Sequence, residues 1–431
     1  MMRVRVPGDK SLSQRALIVS ALSQGVSRLR GLLHGGDTES TAQALRALGV
    51  EIPTIPLDGS DVLIQGVGLD GLKEPSDTLD LGNSGTGVRL LLGTLAGSHL
   101  TSTIDGDASL RMRPMARVTR PLGRMGARFE TLNDAGRLPL TVHGRARLDP
   151  LEWNSPVASG QVKSSLLLAG LTGRACTVIT EPQTSRDHTE RILNAVGARV
   201  TARKTNDGWC VEMQNPPEKI RPLDFTVPGD VSSAAFLLTL AALGAVGGEV
   251  TIESVGLNPT RTAFLDVLDR MGVDIEVHDR TPEGFIEPVG DLVVRPGELR
   301  ATSVGAVEIP YLIDELPLVA VLGACARGET RITGAKELRT KESDRISAVT
   351  ENFKSLGVLA EELEDGLIVE GVPGRKLSGH VSAFHDHRIA MAFTVLGRAT
   401  GRSIHVDDSM LSDVSFPGFN RLMRMLTQHE D

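Results

Sequence analysis

The sequence predicts an α/β fold of two similar domains, each assembled from three units in which helices alternate with short strands. Three observations predict it. An apolar helical run recurs six times along the 431 residues, a second helix ending in glycine follows it in five of the six units, and VPGDKS at residues 6 to 11 returns as VPGDVS at 227 to 232.

The six runs are KSLSQRALIVSAL from Lys10, NSGTGVRLLLGTLAG from Asn83, SGQVKSSLLLAGLTG from Ser159, DVSSAAFLLTLAALG from Asp230, DELPLVAVLGACARG from Asp314 and DHRIAMAFTVLGRATG from Asp386, with starts 71 to 84 residues apart. Each is apolar on nearly every face, so each belongs in a domain interior, and each opens on a small or polar residue, where Ser, Asp and Asn are most often N-caps. The second helices end as LRALGVEI, LGRMGARF, LNAVGARV, LDRMGVDI and FKSLGVLA, placing Gly49, Gly126, Gly197, Gly272 and Gly357 where a left-handed C-cap precedes a strand. The sixth copy, RLMRMLTQHED, has no such glycine. The VPGD repeat divides the chain into residues 12–226 and residues 227–431 plus 1–11, and the opening strand RVRV is expected to complete the sheet of the sixth unit, closing the architecture with both chain ends.

Fifty-four acidic against 46 basic residues leave a formal charge of −8, which excludes nucleic acid or an anionic membrane as the main partner. Thirteen aromatic residues are too few for base-stacking platforms. Cys176, Cys210 and Cys325 stand apart without a CxxC or Cys/His cluster, which fits a reducing compartment and offers no zinc signature. No signal-like start and no apolar run long enough to span a bilayer occur, so a cytoplasmic protein without a membrane partner is expected.

Three buried helices per domain, running side by side in one direction, bring three positive dipole ends and their unpaired N–H groups to one face. Basic residues gather at those openings or at neighbouring second-helix starts: Lys10, Arg15, Arg89, Arg111, Arg113, Arg186, Lys341, Arg345 and Arg388. Guanidinium forks match phosphate and carboxylate oxygens, so a small, multiply charged anion is the expected ligand. Asp314, Glu342 and His387 are candidates for general acid and base work, with Asp230 readable as a cap alone and His387 equally as a loop anchor. GNSGTG lacks the G-x-G-x-x-G spacing and its downstream acid, and no GxxxxGK[ST] occurs, which argues against a nucleotide loop.

Taken in order, PGDKSLSQRAL, LGNSGTGVRLL, RMRPM, SGQVKSSLLLAGL, SRDHTERIL, IDELP, KESDRI and DHRIAMAF resemble the signature set of the 5-enolpyruvylshikimate-3-phosphate (EPSP) synthases, within the enolpyruvyl transferases, from residue 7 to about 420. The resemblance implies two domains of three βαβαββ units each, an inside-out arrangement with the helices buried, and a site in the cleft between the domains. It implies transfer of the enolpyruvyl group of phosphoenolpyruvate to the 5-hydroxyl of shikimate 3-phosphate by a monomer that uses no metal or other cofactor. Lys10, Ser11, Arg15, Ser159, Gly160, Gln161, Ser185, Asp314 and Lys341 would hold shikimate 3-phosphate. Lys10, Gly85, Arg113, Gln161, Arg345 and Arg388 would grip phosphoenolpyruvate, and Asp314, Glu342 and Lys10 would be catalytic. The bare Gly85 would leave room for glyphosate, an inhibitor of phosphoenolpyruvate size.

Four positions depart from the family pattern. Gly160 replaces a Ser or Ala and contacts ligand through backbone only; His188 replaces a tyrosine, Glu337 an asparagine, and Val414 a lysine of some members. Two other readings are weighed. A UDP-N-acetylglucosamine enolpyruvyl transferase shares the chemistry but usually carries a cysteine where this chain reads DGDASLRMRP. A non-catalytic anion-binding homologue would have lost Lys10, Asp314, Glu342 or Arg345, and all four are present.

Overall fold

All six apolar runs form helices, Lys10–Leu22, Gly85–Ala96, Gly160–Thr172, Val231–Ala242, Leu316–Cys325 and His387–Ala399. The computed structural model describes residues 2–131, 136–206, 208–401 and 403–427. Every residue of Val231–Ala242 is buried, and so are eleven of the thirteen in Gly160–Thr172, so these helices meet protein on all sides. Five are capped by a side chain at the preceding residue: Asp9 accepts from the Leu12 N–H, Ser84 from Gly87, Ser159 from Val162, Asp230 from Ser232 and Asp386 from Arg388. Two expected caps are not used: Ser84, not Asn83, caps the second helix, and the fifth, Leu316–Cys325, has no side-chain cap from Asp314 and instead follows the short helical turn Ile309–Leu312.

The five second helices end in one recurring hydrogen-bond pattern. Gly49, Gly126, Gly197, Gly272 and Gly357 all have positive φ, between 69° and 101°. After each, the next N–H reaches back to the carbonyl five residues earlier, as in Val50 to Leu45 at 3.0 Å and Val358 to Phe353 at 2.9 Å. This is the Schellman closure, for which glycine is preferred because a β-carbon strains the left-handed backbone. The sixth, Phe419–Thr427, is the last described helix, and residues 428–431 of that run lie outside the described residues.

The strands alternate with the helices as βαβαββ. In four of the units the strand before a buried helix lies parallel to the strand after it, as Leu79–Asp80 does to Thr101–Asp105 and Leu151–Asn154 to Thr177–Glu181; the first and fourth exchange their first strands. Antiparallel strands complete the first five sheets, giving four strands in four of the units and three in the first (Asp224–Thr226, Gln24–Arg30, Val62–Val67); among the described residues the sixth holds only the parallel pair Ser378–Val381 and Ser403–Val406.

The chain folds as two units, Gly8–Val227 and Pro228–Asp431 with Met1–Pro7. Residues 8–11 and 227 therefore go with the first unit: Lys10 and Ser11 form the first turn of Lys10–Leu22, and the Val227 N–H bonds the Arg30 carbonyl at 2.9 Å. The opening strand does not complete the sixth sheet. Met2–Arg5 pairs in parallel with Val250–Gly256 of the fourth, and Arg3 and Arg5 both reach Glu253, at 2.6 and 3.2 Å. The reason is an exchange. Asp224–Thr226, the strand that precedes the fourth buried helix, pairs with Gln24–Arg30 in the first sheet, which leaves its own place to Met2–Arg5. Val4 and Val6, 8% and 9% exposed, join the core of the second unit from there. The repeated VPGD thus marks the two points at which the chain passes from one unit to the other.

Within the first unit the buried helices approach closely at Gly93, where a β-carbon would lie 2.1 Å from the Ser165 carbonyl oxygen of Gly160–Thr172. That backbone has no room to yield. Gly93→Ala is expected to cost about 1–3 kcal/mol through overpacking, read as a lowered thermal midpoint; an unchanged midpoint would show that the two helices are not locked at this contact.

Candidate active site

In the unit Gly8–Val227 hydrogen bonds join the three helix openings to one another. Gln14 Nε2 donates to the capping Ser84 hydroxyl at 2.9 Å, Arg89 Nη1 to Gln161 Oε1 at 2.7 Å, and Gln161 Nε2 to Thr86 at 2.9 Å. Arg15 Nη2 donates to Ser164 on the third helix at 3.0 Å, and its Nε to Thr189 at 2.8 Å. The three N-terminal ends therefore lie at one end of the helix bundle, so their dipoles add at a common face.

Most of the expected binding residues of this unit stand at that face. Arg15, 3% exposed, also donates to the Ser11 hydroxyl and carbonyl, at 2.5 and 3.0 Å. Lys10 Nζ sits 2.8 Å from Asp37 in the first turn of Gly36–Ala47. Arg113 donates to Asn83 at 2.9 Å, and a β-carbon on Gly85 would meet Arg113 Nη1 and Arg89 Nη1, each at 2.9 Å. Two guanidiniums thus lie over the bare Cα of Gly85, in the first turn of a helix. Ser159 caps the third helix, Gly160 and Gln161 form its first turn, and the Ser185 hydroxyl is held by Glu181 at 2.7 and 2.9 Å. A β-carbon on Gly160 would meet the Arg186 backbone oxygen at 3.2 Å, so the residue packs tightly on its neighbour. Arg111 goes elsewhere, to Asp105 at 2.5 and 2.8 Å, because the short helix Ala108–Met112 directs it to that strand end.

The unit containing Pro228–Asp431 gathers carboxylates around one guanidinium. Arg345, 1% exposed, meets Asp386 at 2.8 Å through Nε, Glu342 at 2.6 Å through Nη2 and Asp314 at 3.6 Å through Nη1. Burial alone would lower the Arg345 pKa, but the carboxylates of Asp386, Glu342 and Asp314 outweigh it and hold the guanidinium charged. Burial likewise disfavours the Asp386 anion, and Arg345 reverses that, keeping this carboxyl below the ordinary aspartate value. Lys341 Nζ lies 3.7 Å from the same Asp314 oxygen as Arg345. Arg388 donates to the Asp314 carbonyl at 3.0 Å and lies 3.8 Å from Glu315. His387, 6% exposed, opens its helix beside Asp386.

Here too the helix openings are joined: Ser232 bonds Glu315, and Arg261 donates to Ser232 at 2.8 Å and approaches Asp230 at 3.4 Å. Asp230 is both the expected cap and part of this network. Glu337 is exposed on the turn Lys336–Thr340, His188 is buried at the start of His188–Ala195, and Val414 ends the turn Ser409–Val414.

Among the buried charged residues that the sequence reading missed are Asp37 and Arg261, described above, and a cluster of three. Lys163 is fully enclosed between Glu181 and Glu190, at 3.2 and 2.8 Å. Its signal was available, since Lys163 is the one charged residue inside SGQVKSSLLLAGL. Nothing local marked Glu181 or Glu190 as its partners.

A sequence profile of the family described as EPSP synthase (3-phosphoshikimate 1-carboxyvinyltransferase) matches residues 2–423. The chain belongs to this family. Among EPSP synthase relatives, the 3-phosphoshikimate 1-carboxyvinyltransferase of Desulforamulus reducens is 48% identical over 98% of this chain and 96% of its own length. That of Alkalilimnicola ehrlichii is 47% identical over 97% and 92%. The solved EPSP synthase of Acinetobacter baumannii superposes with a TM-score of 0.84 at 38% identity, over 98% of this chain and 95% of that one. The enolpyruvyl transferase NikO of Streptomyces tendae, at 18% identity and a TM-score of 0.73 over 99% and 94%, shares the fold. Among the described residues no helix is long and apolar enough to cross a membrane.

The Arg345–Asp386 pair ties stability to pH in this EPSP synthase family member. The Asp386 carboxyl lies below its unfolded value of about 3.9, so its contribution is complete above that pH and is lost as the pH falls through the folded value. Thermal midpoints followed from pH 7 to below pH 3 should be level in this respect down to about pH 4 and fall beneath it. Asp386→Asn should flatten this fall and cost about 3–5 kcal/mol at pH 7 by breaking a buried pair; a variant as stable as the parent at pH 7 would dismiss a structural role.

Proposed function

We infer that the chain transfers the enolpyruvyl (1-carboxyvinyl) group of phosphoenolpyruvate to the 5-hydroxyl of shikimate 3-phosphate, releasing phosphate. Family membership over residues 2–423 supports the reaction. The observation that carries the assignment of roles is that Asp314 and Glu342, two carboxyls, share the buried Arg345 guanidinium, with Lys341 beside Asp314.

In this reading the unit Gly8–Val227 chiefly supplies anion-binding groups. Lys10, Ser11, Arg15, Ser159, Gly160, Gln161 and Ser185 contact shikimate 3-phosphate, while Lys10, Gly85, Arg113 and Gln161 contact phosphoenolpyruvate. The second unit supplies Asp314 and Lys341 to the first substrate and Arg345 and Arg388 to the second. Asp314 accepts the proton of the 5-hydroxyl as its oxygen bonds to C2 of phosphoenolpyruvate, and Glu342 gives a proton to the methylene carbon. A tetrahedral intermediate results. A proton then leaves the new methyl group as the C2–O bond to phosphate breaks, restoring the double bond. Fixed cations, Lys10 among them, stabilise the charge that develops on the phosphate oxygens without having to reorganise. The reading extends to a cytoplasmic monomer, in line with separated, unpaired cysteines.

Phosphate release should require phosphoenolpyruvate and shikimate 3-phosphate together; release with a UDP-linked amino sugar instead, or with neither acceptor, would reject the assignment. Asp314→Asn and Glu342→Gln should each lower kcat by about 10²–10⁴-fold, the usual contribution of a positioned acid or base, with both KM values little changed; near-normal turnover would remove these roles. Gly85→Ala adds a β-carbon 2.9 Å from two guanidinium nitrogens. It should raise the KM for phosphoenolpyruvate and weaken inhibition by glyphosate, and unchanged values of both would show that neither ligand approaches this Cα.

A further inference from the structure

The strand Thr177–Glu181 ends on a carboxylate that is 1% exposed and fully engaged. Glu181 Oε1 accepts the backbone N–H of Ser159 at 2.8 Å and the Ser185 hydroxyl at 2.9 Å; Oε2 accepts the same hydroxyl at 2.7 Å. Oε2 also lies 3.2 Å from Lys163 Nζ. One carboxylate therefore ties together a helix cap and a loop residue 26 positions apart in sequence, which are otherwise carried by different elements.

The ammonium of Lys163 has three protons and three acceptors, Glu181 at 3.2 Å, Glu190 at 2.8 Å and the Ser185 carbonyl at 3.2 Å. Loop residue Ser185 is thus held at its hydroxyl by Glu181 and at its carbonyl by Lys163. Glu190 lies in the first turn of His188–Ala195, next to Thr189, which takes the Nε–H of Arg15. The two networks meet on that turn. Burial pushes the Glu190 carboxyl up, while Glu190 and Glu181 together overcome burial and hold Lys163 charged. An ammonium beside Glu181 also offsets the repulsion that its carboxylate would exert on an anion held by Ser159 and Ser185.

We propose that Glu181, braced by Lys163 and Glu190, is a positioning group for shikimate 3-phosphate: it sets the distance and orientation of Ser159 and Ser185 without touching the substrate. The Ser185 hydroxyl proton is directed at Glu181, so the oxygen lone pairs and the backbone N–H are what this residue presents to the ligand. The proposal rests on the enolpyruvyl-transfer reading above.

Steady-state kinetics of the full chain test it. Glu181→Gln should raise the KM for shikimate 3-phosphate roughly tenfold or more, the effect of losing about one charge-assisted hydrogen bond. The KM for phosphoenolpyruvate and kcat should stay within about threefold, less than such a bond supplies. In a Ser185→Ala background the same substitution should add less than it does in the parent, only the part exerted through Ser159 remaining. Glu181→Asp, which keeps the charge and shortens the reach, should show a smaller rise and decides the matter if Glu181→Gln does not fold. Changes in both KM values and kcat together, multiplying effects of Glu181→Gln and Ser185→Ala, or an unmoved KM for shikimate 3-phosphate would each overturn the proposal. A parent chain that releases no phosphate from the two substrates would instead remove the functional reading on which it stands.

Discussion

A helix that is apolar on every side can meet water only at its ends, and this constraint organises the whole chain. Six such helices, enclosed along their lengths, present their first-turn N–H groups where Asp9, Ser84, Ser159, Asp230 and Asp386 cap them. Orphan backbone donors and aligned dipoles are the part of a buried helix that still has chemistry to offer. Cross-helix bonds such as Gln14–Ser84 and Arg89–Gln161 then fix the openings against one another. Lys10, Ser11, Gly85, Gly160, Gln161, Arg345 and Arg388 consequently sit on first turns held in place by this packing.

The two units use this common frame for different electrostatics. In Gly8–Val227, guanidiniums of Arg15, Arg89 and Arg113 are oriented by hydroxyl, amide and carbonyl oxygens of Thr189, Ser164, Gln161, Gly85 and Asn83. In the other unit, Arg345 is surrounded by Asp386, Glu342 and Asp314. The first leaves guanidiniums oriented by neutral oxygens; the second gathers carboxyls around one fixed positive charge, which favours their ionised forms. Lys163 shows how far the fold commits to such order, since an enclosed ammonium is tolerable only with every proton accepted.

The exchange of first strands gives the VPGD repeat its meaning. Parallel pairing around a buried helix requires a strand before it and a strand after it, and the fourth helix receives the former from Met2–Arg5 while its own predecessor serves the first sheet. Pro7 and Pro228 stand at the crossings. The chain ends are not equivalent to a seam in the sixth unit, whose sheet consists of Ser378–Val381 and Ser403–Val406.

By itself the sequence determined the α/β class, the six helices, the caps at Ser159, Asp230 and Asp386, the glycine closures and the motif set that marks the family. Each depends on spacing within a few residues or on a short motif, and local backbone sterics and periodic burial act over that range. Tertiary structure alone decided which sheet Met2–Arg5 joins, why Arg111 turns to Asp105 while Arg113 covers Gly85, and that Glu181 and Glu190 enclose Lys163. Most of those outcomes depend on partners well separated along the chain, 18 positions apart for Lys163 and Glu181 and 248 for Met2 and Val250. A run of residues carries no record of which distant carboxylate or strand edge will satisfy it, because that choice is made by packing once the helices are buried.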